Sequence, residues 1–322
     1  MEKGTIRETD AKTLHEGRRQ MYESVDAYRR SFVDPSTGLI ADQFTEHRAC
    51  PVCEAASDRM IFVKNGGTYV KCHACGMIYL NPVFKNDELR KYYENNTAMQ
   101  AAAHANESDF YRSIYTKGLY SIEKFTKTGA ILDIGCSSGF FIDIAKERGW
   151  QTYGIELNRS EFMIARQRGH KVWNIPVEEA PFETKLNVIT MWDVLEHIKQ
   201  GDQYLASLKN LLYDDGVVFM QIPSAASLAA RVLQERCNMF DGIEHVNLYT
   251  PKTISVLCKK AGYKILHMET VINELQVLKK YLDYEDPYFS DRDGASDLDF
   301  LTADLIQKAQ LGYKIQIVIK PG

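Results

Sequence analysis

The sequence predicts an α/β protein with a small metal-binding module ahead of it, and three observations predict this. From residue 130 onward, short apolar runs alternate with amphipathic segments, the pattern of a parallel sheet with helices on both faces. The first run, ILDIGCSSGFF at 131–141, passes into a glycine turn that opens onto a helix, and the next strand ends in a carboxylate, Glu156. Ahead of both, two Cys-x-x-Cys pairs stand eighteen residues apart, at 50–53 and 72–75.

Taken in order, residues 13–32 read as a helix: Thr13 to Glu16 forms a capping-box pattern, and Leu14, Met21, Val25, Tyr28 and Phe32 recur at helical spacing. Such a stripe packs on its own domain or offers a seam for a homodimer. The run Asp34-Pro-Ser-Thr-Gly38 ends it. Residues 47–84 form the cysteine module, after an N-terminal segment 1–46. Residues 86–127 read as two tyrosine-rich helices. Strands follow at 130–135, 151–156, 170–174, 187–192 and 216–222, with helices at 138–149, 160–168, 201–212 and 251–261. A strand after Gly262 and the closing GYKIQIVIK complete a domain spanning 85–322. Two stretches, 223–250 and 270–311, interrupt the alternation and read as lid insertions. The acidic part of the second includes Asp291-Arg-Asp-Gly294, but Phe289 and Phe300 stand where a calcium loop needs its first and twelfth ligands.

Composition limits the function classes. Of 322 residues, 45% are apolar and 25% charged, the balance of an ordinary globular protein, and the formal charge of −4 gives no basic footprint for nucleic acid. No apolar run is long enough to span a membrane, and MEKGTIRETD has no secretory core. Seven cysteines, four of them paired, suit a reducing cytoplasmic compartment with one metal site.

The turn at 135–139 has the chemistry of a nucleotide cradle. Gly135 and Gly139 let the backbone approach a ligand closely, and a carboxylate at the next strand tip can accept from both hydroxyls of a ribose. The spacing is D-x-G-x-x-x-G; Ser137 stands where a nicotinamide-dinucleotide turn carries its second glycine. With Glu156 and the later run VITMWDVLEHI, this order and spacing resembles the class I S-adenosylmethionine-dependent methyltransferases over about residues 86–320. The resemblance implies a Rossmann-like seven-stranded sheet and S-adenosylmethionine as cofactor. It implies contacts from Asp133, Gly135, Cys136, Ser137 and Gly139 toward the methionine part, from Glu156 to the ribose, from Leu157 to the adenine face and from the Val177 N–H to the adenine edge. Trp192 and Asp193 would lie beside the sulfonium, where an aromatic face can stabilise a cation; core packing is the other reading of Trp192.

The two cysteine pairs flank a predicted hairpin with a Gly66-Gly67 turn, and Cys50, Cys53, Cys72 and Cys75 read as a zinc ribbon with a closed, structural four-thiolate site. The continuation CGMIYLNPVF resembles the cysteine-pair head of bacterial sugar and small-molecule methyltransferases, where the module helps cover the substrate cleft. The stretch GIEHVNLYT is similar to the EH-x-x-x-[YF] segment of the same enzymes. It implies His245 as general base, with Glu244 as its orienter or a substrate ligand; His197 in DVLEHI is the second candidate. The function expected is O- or C-methylation of a sugar nucleotide or natural-product precursor, a small-molecule acceptor. A zinc-ribbon RNA methyltransferase, a quinone-type O-methyltransferase and a non-catalytic binding module are the alternatives.

Overall fold

The computed structural model describes residues 28–95, 108–292, 294 and 298–322. The helix read at 13–32 lies outside them except at its end, where Tyr28 and Phe32 turn onto Tyr92 and Phe84 of the same chain.

The head contains β1 (Thr45–Glu46), β2 (Asp58–Lys64), β3 (Gly67–Cys72), β4 (Ile78–Leu80) and β5 (Val83–Phe84), with β1 paired to β5. The β2–β3 turn is Asn65-Gly66, not Gly66-Gly67. Those two residues have φ of 49° and 82°, as a tight two-residue hairpin requires, and Gly67 already pairs with Lys64 in the ladder. Helices α1 (Asn86–Asn95) and α2 (Ser108–Ile122) lead into the main domain.

That domain runs β6 (Ala130–Ile134), α3 (Phe140–Glu147), β7 (Gln151–Ile155), α4 (Arg159–Gln167), β8 (Val172–Trp173), β9 (Leu186–Trp192), α5 (Gly201–Leu208), β10 (Leu212–Pro223), α6 (Leu228–Leu233), β11 (Asn247–Leu248), α7 (Pro251–Lys260), β12 (Tyr263–Val271), α8 (Leu275–Leu282), α9 (Ala303–Lys308) and β13 (Lys314–Pro321). Seven strands form one sheet in the order β12-β13-β10-β9-β6-β7-β8. The five from β8 to β10 are parallel, whereas β13 slots antiparallel between β10 and β12, so the sheet is mixed rather than wholly parallel.

Both faces of the sheet are buried, and the strands alternate between two cores. Leu132, Ile189, Met191, Val218, Met220, Ile315 and Ile317 pack toward α5 and α7. Ile131, Val188, Trp192, Val217 and Phe219 pack toward α2 and α3. This explains why the strands read as near-continuous apolar runs. The ribbon shares the first core through Val52, Val70, Met77 and Tyr79. A four-stranded sheet, β11-β4-β3-β2, crosses the expected boundary at residue 84, because β11 comes from the segment read as a lid.

Candidate active site

The carboxyl ends of the parallel strands carry the predicted residues, as ligand sites of open α/β sheets do. In the turn after β6, Gly135, Ser137 and Gly139 have φ of 73°, 49° and 85°. The N–H groups of Gly135 and Cys136 both donate to Ile155 O, fastening the turn to β7. A Cβ on Gly139 would meet His170 at 2.4 Å, and one on Gly135 would meet Val194 at 2.7 Å, so protein packing already forbids side chains here. The Cys136 side chain points away from the turn into a small core with Ile142, Ala165 and Val172, and burial pushes its thiol up. Its N–H and C=O are taken by Ile155 O and the Gly139 N–H, so it serves to brace the turn.

Glu156 follows β7 and ties the two loops together. Its Oε2 accepts from the Ser137 N–H at 2.7 Å and its Oε1 from the Asn158 N–H at 2.7 Å. Each carboxylate oxygen has a second acceptor position, so two hydroxyls can still be held. The acceptor positions left on Glu156 and the left-handed turn therefore fit a ribose-bearing cofactor. Leu157, 64% exposed, stands open beside it, and Val177 is buried at the start of a 3-10 turn. Asp133 is buried beneath the turn, where it accepts from the Thr190 hydroxyl at 2.7 Å; burial raises its carboxyl to about 8. Trp192 packs among Tyr115, Phe141 and Phe219 at ring distances of 4.6, 5.2 and 4.6 Å. Its indole nitrogen has no partner among the described residues. Asp193, in left-handed backbone with φ 55°, receives Lys314 Nζ at 2.9 Å.

The two candidate histidines meet. His197, in the 3-10 turn after β9, and His245, in the loop between α6 and β11, have ring centroids 4.9 Å apart. Burial lowers His197 to about 3, keeping it neutral, with the His245 ring adding to the effect. His245 Nδ1 lies 2.6 Å from Met239 O and 3.6 Å from Asp241 Oδ2. A carbonyl only accepts, so Nδ1 carries the proton and the Nε2 lone pair is the basic one. Asp241 also accepts the backbone N–H of Ile243, Glu244 and His245; against its burial, His245 when protonated, Arg29 and these bonds hold its carboxyl down. The Glu244 carboxylate receives Arg29 Nη2 at 3.3 Å. Arg29 Nε reaches the buried Tyr92 hydroxyl at 3.3 Å, so Tyr92 packs beneath this loop.

Several residues that build the site carried no sequence signal. Tyr69 of β3 accepts the Asp241 and Gly242 N–H groups at 3.2 Å each and donates to His245 O at 3.3 Å. Arg48, beside the first cysteine pair, donates to Val246 O at 2.6 Å, Lys199 O at 3.3 Å and Leu80 O at 3.1 Å. It is a half-buried staple between the head and both histidine loops. Gly67 and Gly242 press backbone on backbone: a Cβ on Gly67 would lie 2.0 Å from Gly242 O, and one on Gly242 would lie 2.1 Å from Lys64 O. Only glycines allow that approach.

The four cysteines sit on two matching knuckles. Cys50 O and Cys72 O accept the N–H of Glu54 and Gly76, whose φ values are 61° and 81°. Cys50 N–H and Cys72 N–H donate to Ala55 O and Met77 O. The Sγ atoms of Cys50 and Cys75 are 3.6 Å apart, those of Cys53 and Cys72 3.5 Å, and all four lie within 4.8 Å of one another. Thiolates around a tetrahedral zinc with Zn–S of about 2.3 Å stand ~3.8 Å apart, so the donor set fits that ion.

Glycine turn, acidic strand tip and mixed seven-stranded sheet are the parts of a methyltransferase domain. Residues 108–268, half of the chain, match the family model described as a methyltransferase domain, and the chain belongs to that family. It is similar to the ubiquinone biosynthesis O-methyltransferase of Glaesserella parasuis, 29% identical over 102 residues, which is 28% of this chain and 43% of the relative. It is also similar to the malonyl-[acyl-carrier protein] O-methyltransferase of Serratia marcescens, 27% identical over 152 residues, 46% of this chain and 56% of the relative. The chain thus spans about half the length of the curated relatives it matches. Among solved structures, an S-adenosylmethionine-dependent methyltransferase from Clostridium acetobutylicum aligns at 13% identity and a TM-score of 0.46, covering 69% of this chain and 98% of the other. Among the described residues, no helix is long and apolar enough to cross a membrane.

Proposed function

We propose that this methyltransferase acts on a hydroxyl or an acidic carbon of a small molecule, such as a sugar nucleotide or natural-product precursor, with His245 as general base. The observation that carries the reading is the tautomer of His245: Nδ1 is engaged by Met239 O at 2.6 Å, which leaves Nε2 as the proton acceptor. The names of the matched relatives, both O-methyltransferases, agree with an oxygen acceptor.

S-adenosylmethionine supplies an electrophilic methyl group on a sulfonium. Glu156, the turn 135–139, Leu157 and Val177 would hold it. His245 Nε2 takes the acceptor's proton, which raises the nucleophilicity of the oxygen or carbon left behind. Asp241, 3.6 Å from Nδ1, stabilises the imidazolium that results. Neutral His197 beside it adds no competing charge. Glu244 and its Arg29 partner fix the loop that carries the base. The zinc proposed at the four thiolates is structural: with all four positions filled by sulfur, it shapes the head that holds the His245 loop.

The test is S-adenosylhomocysteine release on incubation with sugar nucleotides, phenolic or carboxylic small molecules, and RNA. Turnover with a small acceptor, lost in His245→Asn while S-adenosylmethionine still binds, supports the reading. Turnover on RNA alone would replace it.

A further inference from the structure

Beside the two histidines lies a group that the methyl-transfer reading leaves unused. Glu196 follows β9 in the same 3-10 turn as His197, is 0% exposed, and neither of its carboxylate oxygens has a hydrogen-bond partner among the described residues. A buried carboxylate in that state is strongly unfavourable unless a proton or a cation accompanies it. One ligand atom from each of Glu196, His197 and His245 lies within 4.8 Å of the other two. Donor atoms around a four-coordinate zinc stand ~3.3 Å apart, a separation reached by small side-chain adjustments.

Asp193 and Asp241 both act on Glu196, and Lys314, the cation facing the group, is itself paired to Asp193 at 2.9 Å. The histidines are oriented as metal-binding histidines are, each with a backbone group on its ring: Met239 O on His245 Nδ1, and the Glu244 backbone on His197. Two imidazoles and one carboxylate with an open fourth position suit a borderline divalent ion such as Zn²⁺, Co²⁺ or Ni²⁺ rather than Mg²⁺ or Ca²⁺.

We propose that Glu196, His197 and His245 form a second metal site, distinct from the four cysteines, that binds a borderline divalent cation. Since Met239 O occupies Nδ1, the cation takes Nε2 of His245, the same electron pair that the base reading assigns to the acceptor's proton. Metal and proton therefore compete, and the metal-loaded enzyme is silent. That last consequence rests on the base reading; the site itself does not.

Cobalt titration of the full-length, zinc-loaded protein, without methyl donor or acceptor, tests the site. Co²⁺ held by two imidazoles and a carboxylate shows weak visible d–d bands with no thiolate-to-metal charge transfer, so it is distinguished from exchange into the cysteines. We expect one equivalent of thiolate-free Co²⁺, lost in Glu196→Gln and in His197→Asn. Glu196→Gln keeps the side-chain shape while removing the charge, and circular dichroism confirms its fold. Absence of the thiolate-free equivalent, or its persistence in Glu196→Gln, overturns the site. In turnover assays, Zn²⁺ at the occupancy measured by titration should lower the rate at least tenfold, with recovery on mild chelation. A rate unchanged or raised by bound metal overturns the competition even where the site binds.

Discussion

Replacing Tyr69 by Phe removes one oxygen from the cysteine head and should be felt at the base. The ring is fully buried, and its contacts with Phe62 and Phe240, at 5.5 and 5.1 Å, survive the change. What disappears is the hydroxyl that accepts two backbone N–H groups at 3.2 Å and donates to His245 O at 3.3 Å. A buried polar group left without a partner costs about 1–3 kcal/mol. Three such groups at the long end of hydrogen-bond distance point to the lower figure each, for a total of about 3 kcal/mol, a large share of an ordinary domain's stability. The loss should appear as a lower urea midpoint and as faster amide exchange at Asp241 and Gly242. Turnover should fall, because the loop carrying His245 loosens, while S-adenosylmethionine affinity stays as it was. If the midpoint, the exchange rates and the turnover number all match the parent protein, the argument that the head positions the base is wrong.

His245→Asn keeps a polar side chain but removes the Nε2 lone pair; turnover should drop by about 10²–10⁴-fold, with cofactor binding by calorimetry unchanged. Asp133 gives a pH signature. Its folded pKa, raised to about 8 by burial, exceeds an unfolded value of ~3.9, so the folded state binds the extra proton between them. The stability it contributes is full below about pH 4 and is lost as pH rises toward 8. Asp133→Asn should therefore flatten the decline between those values in pH-dependent melts. Metal analysis should find one zinc held by the four cysteines, and Cys72→Ser should abolish it and the order of the small sheet, read by near-ultraviolet circular dichroism. Retention of zinc by that variant would reject the ligand assignment.

The main sheet was legible because its strands are buried on both faces and so announce themselves as apolar runs, and because the turn at 135–139 needs residues that accept positive φ. The cysteine site was legible for a similar reason: each knuckle is local, with ligands three residues apart. Local patterns could not show β11, two residues long and defined only by its partner β4. They also misplaced the β2–β3 turn: Gly67 is required by the approach of Gly242, a contact across the chain rather than a turn. Arg48 carried no signal because nothing nearby in sequence reveals the three carbonyls it serves. Glu196 passed unremarked inside LEH, since its burial is decided by β10 and the His245 loop.

The contact between Gly67 and Gly242 also bears on how the protein is made. During synthesis the head emerges first, with its hairpin and cysteines complete, but its sheet lacks a strand until β11 leaves the ribosome. A metal captured early would hold the knuckles while the open edge at β4 waits for a distant segment to arrive. Such an edge is exposed to pairing with the wrong strand in the interval. For the same reason the head is not a portable cartridge. Cut out and grafted elsewhere, it would carry a vacant strand position and a glycine groove shaped for a backbone left behind.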